Sequence, residues 1–254
     1  MTSLSRRTFM KGAGIGAVSV GAAAALSACA SKSSTSSSSS SSSSQKTEYT
    51  AEVLEPTKTF DASTGHNFTP EPESLTTVGD TLTNLKSAVQ GETNATTKYS
   101  AWAEIAESAG YTQIARLFHC TADAEKIHIK LEIEQIQKQE ASYQQPAAVA
   151  AANGATDINV IHGAQGEIYE TSDMYPSFIK AAQAEGNDEA VKVFTRAKLA
   201  EAYHAKHYMD AYNTIDTPSE DKYYLCPVCG YIHKGENFTA CPICLTQKSA
   251  FEAY

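Results

Sequence analysis

Five glutamates and two histidines recur at helical spacing along this chain, and two CxxC pairs follow them. In order they are Glu92, Glu125 with His128, Glu167 with Glu170, Glu201 with His204, then Cys226 with Cys229 and Cys241 with Cys244. Side chains at i and i+3 project to the same side of a helix, so each Glu-x-x-His or Glu-x-x-Glu pair can grip one ion or bridge two. One such pair alone is weak, because a structural salt bridge uses the same spacing. Here each of four successive segments puts a carboxylate into its apolar stripe, where burial is costly unless it is paired or bound to metal. Oxygen-rich ligation with two imidazoles suits iron or manganese better than zinc or copper. The four thiolates make a second, tetrahedral cage, whose ligands alone allow zinc or iron.

The elements that carry these residues read as helices. Val78, Leu82, Leu85, Val89, Glu92, Thr96, Tyr99 and Ala103 step by three or four, and the helical pattern begins at about Leu75. A second face runs through Ile114, Phe118, Thr121, Glu125, His128 and Leu131, and a third through Val160, Ala164, Glu167, Glu170, Met174 and Phe178. The fourth uses Val193, Phe194, Ala197, Glu201, His204 and Tyr208, after a turn at Gly186-Asn187-Asp188. No strand signal interrupts them, so the expected architecture is an all-α four-helix bundle followed by a small cysteine-knuckle domain. The connection from about Ala141 to Thr156 is too long for a hairpin turn. About sixteen extended residues reach at most about 50–58 Å, enough to return along a helix of about 45 Å. Pro176 falls inside the third helix, where a kink is expected beside the metal ligands. The knuckle, of about 35 residues, needs its metal to fold.

The first 29 residues stand apart. Ser5-Arg6-Arg7-Thr8-Phe9-Met10-Lys11 reads as a twin-arginine export signal, and Gly12 to Ala28 is an apolar Gly/Ala-rich run. It ends at Leu26-Ser27-Ala28-Cys29, which resembles a bacterial lipobox with Cys29 as the lipidated residue. An ordinary signal peptide ending in a cysteine is the plainer alternative. Residues 30–74 form a Ser-rich tether and an extended segment, which as a flexible chain would span about 35–40 Å. Residues 75–216 then hold the bundle and 217–254 the knuckle. The net charge is −9, and removing the leader takes away Arg6, Arg7 and Lys11 but no acidic residue, leaving −12. That excludes nucleic acid and anionic lipid surfaces as natural partners, and leaves membrane attachment to the lipid anchor. With four cysteines paired as CxxC and Cys29 in the lipobox, only Cys120 stands alone, so the spacing speaks for metal rather than disulfides.

Four stretches together carry a family resemblance: Gly91-Glu92-Thr93; Thr121-Ala122-Asp123 leading to Glu125 and His128; Gly166-Glu167 through Glu170 to Met174-Tyr175-Pro176-Ser177-Phe178; and Ala200-Glu201 to His204. With Cys226-Pro227-Val228-Cys229-Gly230-Tyr231 and Cys241-Pro242-Ile243-Cys244, residues 76–254 resemble a rubrerythrin. The resemblance implies a ferritin-like bundle with two non-haem irons and a rubredoxin-like domain with one iron. It implies reduction of hydrogen peroxide to water, with electrons fed through the rubredoxin-type iron.

By the same resemblance Glu125 and Glu201 bridge the irons, Glu92 holds one, and Glu167 with His204 holds the other. Glu170 and His128 alternate on the first iron with its oxidation state, and Tyr99 and Tyr175 stand beside the site. Family members pair head to tail, so a homodimer is expected in which one subunit's knuckle meets the other's di-iron site. His119 and Cys120 depart from the family's pattern; Cys120 reads as a small buried apolar residue. Export places the chain beyond cytoplasmic nicotinamide cofactors, leaving its electron donor unknown. Two further readings share these residues: an iron-oxidising or iron-binding protein, and an envelope electron-transfer protein in which the bundle is only scaffold.

Overall fold

The computed structural model describes residues 74–150, 152–217 and 219–254, so the leader, Cys29 and the Ser-rich tether lie outside the described residues. Helix α1 spans Thr81–Ser108 and α2 spans Thr112–Ile136; α3 covers Thr156–Tyr169 and α4 covers Tyr175–Ala184, with a π-helical stretch at Glu170–Met174 between them; α5 is Asp188–Asn213. The helical pattern was expected from about Leu75, but the helix begins six residues later. Asp80 caps it, accepting the Thr83 N–H at 2.7 Å. Upstream, the Asp173 carboxylate takes the Leu75 N–H at 2.7 Å, so this segment follows the third helix instead of continuing the first.

The expected kink at Pro176 takes the form of the π-helical stretch. Proline lacks an N–H and its ring clashes with the carbonyl four residues back, so widening the preceding turn accommodates both. Through that turn Glu170 and Met174 stay on the buried face. Asn187 caps α5 by accepting the Ala190 N–H at 3.1 Å, after Gly186 has taken the left-handed φ of 69° that ends α4.

From Gln137 the chain crosses back without regular helix to α3. It is pinned along α1: Gln145 Nε2 donates to Thr93 Oγ1 at 3.1 Å, Gln90 Nε2 to the Ala147 carbonyl at 3.1 Å, and the Val149 N–H to Asn94 Oδ1 at 2.8 Å. The single long crossover is therefore present. The bundle core falls into two apolar layers. One gathers Tyr99, Trp102, Phe118 and Tyr208; the other gathers Leu85, Phe178, Phe194 and Ile136. Along every long helix the metal-ligand candidates sit where one layer gives way to the other. On α2, for example, Ala124 belongs to the first, Ile129 to the second, and Glu125 and His128 lie between.

The second domain is a three-stranded antiparallel sheet in the order β2-β1-β3, with β1 Tyr223–Leu225, β2 Ile232–Lys234 and β3 Glu252–Ala253. Tyr224 pairs with His233 on one side and Ala253 on the other. The domain rests on the bundle, where Tyr254 Oη donates to Asp123 Oδ2 at 2.7 Å and Gln113 Nε2 to Ser219 Oγ at 2.6 Å. Among the described residues no helix is long and apolar enough to cross a membrane.

Candidate metal centres

The carboxylates converge because four helical segments each turn one stripe inward at the same level. Glu92 comes from α1, Glu125 and His128 from α2, Glu167 from α3, and Glu201 and His204 from α5; every one is buried. Two groups of donor atoms result. One joins Glu92, Glu125, His128 and Glu201; the other joins Glu125, Glu167, Glu201 and His204, and within each all donor atoms lie within 4.8 Å of one another. Glu125 and Glu201 belong to both. His128 Nδ1 lies 2.7 Å from Glu201 Oε1 and 3.1 Å from Glu125 Oε2, while His204 Nδ1 lies 2.6 Å from Glu201 Oε2 and 3.5 Å from Glu167 Oε2.

The groups fit a pair of cations. Both oxygens of Glu125 and of Glu201, one each of Glu92 and Glu167, and both imidazole Nδ1 atoms are buried without a hydrogen-bond partner. Orphaned lone pairs aimed at a shared centre are costly unless a cation takes them. Protons substitute in part. Burial, then the neighbouring Glu201, pushes Glu125 well above the usual carboxylate range, and the same two causes push Glu167 up to about 8. Glu201 goes the other way: burial opposes ionisation, but His128 and His204 together hold it below the usual range.

Glu170 stands apart from both groups. It is buried on the π-helical stretch, and its Oε2 has no partner. Tyr99 Oη donates to Glu167 Oε1 and Tyr175 Oη to Glu92 Oε1, so each phenol supports a different group. One buried carboxylate was not anticipated. Glu132 is completely buried one turn beyond His128, and Tyr175 Oη also contacts its Oε1 at 2.9 Å. Counting four residues on from His128, instead of three to Leu131, would have found it; Leu131 is only half-buried.

The knuckle brings Cys226, Cys229, Cys241 and Cys244 together with all four sulfurs within 4.8 Å of one another. The Cys226–Cys244 and Cys229–Cys241 sulfurs are 3.4 and 3.5 Å apart. A tetrahedral site with metal–sulfur bonds of about 2.3 Å would set them about 3.8 Å apart, so a small expansion admits the ion. Cys241 Sγ accepts the N–H groups of Ile243 and Cys244, both at 3.4 Å, which favours the thiolate. Cys120 lies in the bundle core instead, its thiol pushed well above the usual range by burial and then by Asp123, which leaves it unreactive.

The two centres are joined through backbone. His128 Nε2 donates to the carbonyl of Cys229 at 3.1 Å, and His204 Nε2 to that of Gly230 at 2.8 Å. A third imidazole, His207, donates to the Ile232 carbonyl at 3.0 Å. Placing the proton on Nε2 leaves Nδ1 of His128 and His204 free to ligate, the outer-sphere arrangement typical of metal-bound histidine. Gly230 allows the approach: its φ is +75°, and a Cβ there would stand 2.4 Å from His128 Nε2. In this chain the knuckle sits on the chain's own bundle, through the contacts of His128 and His204 with Cys229 and Gly230.

A family model described as rubrerythrin matches residues 83–212, and one described as the rubrerythrin rubredoxin-like domain matches residues 224–252. This chain belongs to the rubrerythrin family. Nigerythrin of Nitratidesulfovibrio vulgaris strain Hildenborough is 57% identical over 188 residues, covering 74% of this chain and 93% of that one. Rubrerythrin-2 of Clostridium acetobutylicum is 36% identical, covering 67% of this chain and 94% of its own length. A solved structure of nigerythrin in its fully reduced, all-ferrous state superimposes with a TM-score of 0.71 over 74% of this chain and 94% of that one. Rubrerythrin membership brings the family's cofactors, a di-iron site in the bundle and one iron in the tetrathiolate, and the residues present fit both. It also makes the chain a peroxide-reducing oxidoreductase of the di-iron type.

Proposed function

We propose that this rubrerythrin reduces hydrogen peroxide to water in its bundle, drawing electrons one at a time through the knuckle iron. The observation that carries the reading is the pair of hydrogen bonds from His128 and His204 to the carbonyls of Cys229 and Gly230. An iron-storing bundle has no use for a redox centre fastened to its ligands. When bound, the irons supply Lewis acidity and one electron each to the O–O bond.

The chain's own side chains do the rest. Glu125 and Glu201, which belong to both donor groups, would hold both ions; Glu92 would hold one, and Glu167 with His204 the other. His128 lies in the first group and Glu170, buried nearby on the π-helical stretch, in neither; by the family resemblance the two would alternate at one ion. Tyr99 and Tyr175 hold Glu167 and Glu92 in orientation and donate protons along those contacts. The apolar layers above and below exclude water, which strengthens these interactions.

The wider setting is part of the proposal. The twin-arginine leader exports the folded, iron-loaded chain, Cys29 anchors it in the bacterial cell envelope, and oxidative-stress defence there is its role. The chain pairs as a homodimer; light scattering on the signal-free protein tests the pairing. For the chemistry, Glu125→Ala removes a carboxylate common to both donor groups. Its iron content is expected to fall, and peroxide turnover to drop by on the order of a hundredfold or more. Full iron and full turnover in that variant would refute the assignment.

A further inference from the structure

Three buried oxygens form a chain that leads away from the ligands. Tyr175 Oη contacts Glu92 Oε1 on one side and Glu132 Oε1, at 2.9 Å, on the other. Glu92, Tyr175 and Glu132 are all completely buried. Two hydrogen bonds along this chain need two protons, and a phenol supplies one. Glu92 must be ionised to hold a cation, so the phenolic proton goes to Glu92. The contact with Glu132 is then a hydrogen bond only if Glu132 is a neutral acid, donating its own proton to Tyr175 Oη.

The surroundings of Glu132 agree with a neutral acid. Its Oε2 is buried without a partner, which a carboxylate would not tolerate. Burial pushes it well above the usual carboxylate range. It belongs to neither donor group, and its contact is with Tyr175 rather than with a donor atom.

We propose that Glu132 stores one of the two protons that peroxide reduction consumes and delivers it through Tyr175. This rests on the peroxidase reading. Reduction of one peroxide to two waters breaks the O–O bond and takes up two electrons and two protons; the electrons come from the two irons. The phenolic proton of Tyr175 passes by way of Glu92 Oε1 to the oxygen released by O–O cleavage. Tyr175 Oη takes the Glu132 proton in its place, and the Glu132 carboxylate is reprotonated from solvent before the next turnover. Glu132 thus acts through Tyr175 and does not touch peroxide.

The test combines infrared difference spectroscopy with single-turnover kinetics on the iron-loaded full-length protein, as wild type, Glu132→Gln, Glu132→Asp and Tyr175→Phe. The wild type is expected to show the carbonyl stretch of a protonated carboxyl, absent in Glu132→Gln and changed when peroxide oxidises the reduced protein. Glu132→Gln keeps a donor to Tyr175 but has no proton to release. It should retain both irons while oxidation by peroxide slows on the order of tenfold to a hundredfold, with Glu132→Asp recovering much of the rate. Absence of the band in wild type, a wild-type rate in Glu132→Gln, or loss of an iron from that variant would each overturn the proposal. Should Glu132→Gln misfold, Tyr175→Phe cuts the same path, and an unchanged rate there overturns it equally. A wild type that ignores peroxide altogether defeats the peroxidase reading instead, and the infrared band still decides whether Glu132 carries a proton.

Discussion

His128 donates its Nε2–H to the carbonyl of Cys229 across 3.1 Å, so a single imidazole connects a donor of the carboxylate site to a ligand of the tetrathiolate. Through its Nδ1 it faces Glu92, Glu125 and Glu201. The peptide group of a cysteine ligand and one ring separate the two centres, a short path for an electron.

Gly230→Ala tests that path without altering a ligand. The added methyl would meet His128 Nε2 at 2.4 Å, and φ of +75° itself costs a non-glycine residue about 1–2 kcal/mol. The knuckle is expected to keep its iron but lift from the histidines. Electron transfer between the centres, followed by the visible absorption of the ferric tetrathiolate, should slow by about tenfold or more. An unchanged rate would show that the contact is not the route.

Glu170→Ala separates iron binding from peroxide chemistry. Both donor groups are complete without Glu170, so two irons per bundle should remain by metal analysis. Peroxide oxidation of the reduced variant should nevertheless fall, by about tenfold, because the proposed exchange of Glu170 with His128 is lost. Loss of an iron would place Glu170 among the permanent ligands.

Loading the bundle with ferrous iron should release protons. At neutral pH the metal-free site holds Glu167 largely protonated, its value raised from 4.5 to about 8 by burial and Glu201. A ligand must give up that proton. Anaerobic titration at pH 7 in weak buffer should therefore record about one proton or more per pair of ions. The same shift fixes the stability trend: with the folded value above the unfolded one, the metal-free protein loses stability from this group as pH rises from 4.5 to 8. Iron should remove that slope, and a slope unchanged by iron would count against ligation by Glu167.

His207 gives docking a pH dependence of the opposite sign. Burial lowers it from 6.5 to about 4 while its Nε2–H remains on the Ile232 carbonyl. The unfolded chain takes up the proton first, so this stabilisation is complete above 6.5 and is lost as pH falls toward 4. The largest loss is about 3 kcal/mol. Urea unfolding at pH 7 and pH 5 should show a smaller difference in His207→Gln than in the wild type; equal differences would exclude His207 as the cause.

Much of this was legible in the residue pattern, for a physical reason. A carboxylate inside an apolar helical stripe is anomalous, and its period fixes both the helix and the face, so Glu92, Glu125, Glu167 and Glu201 revealed the bundle and its centre together. Glu132 escaped because an apolar Leu131 stood beside it and kept the period plausible. Pro176 signalled a disturbance, but a π-helical turn rather than a simple kink depends on how the ring meets the carbonyl four residues back. The docking of the knuckle was hidden because its acceptors are main-chain carbonyls, which carry no residue identity. Only Gly230, where any side chain would collide, left a trace.

The most direct test is anaerobic stopped-flow on the reduced, signal-free protein, mixed with one equivalent of hydrogen peroxide and, separately, with oxygen. The return of the ferric tetrathiolate colour reports electrons leaving the knuckle for the bundle. Fast return with peroxide and slow return with oxygen is the predicted result. A colour that appears under a chemical oxidant yet ignores peroxide would contradict the account, and the iron-binding reading would take its place.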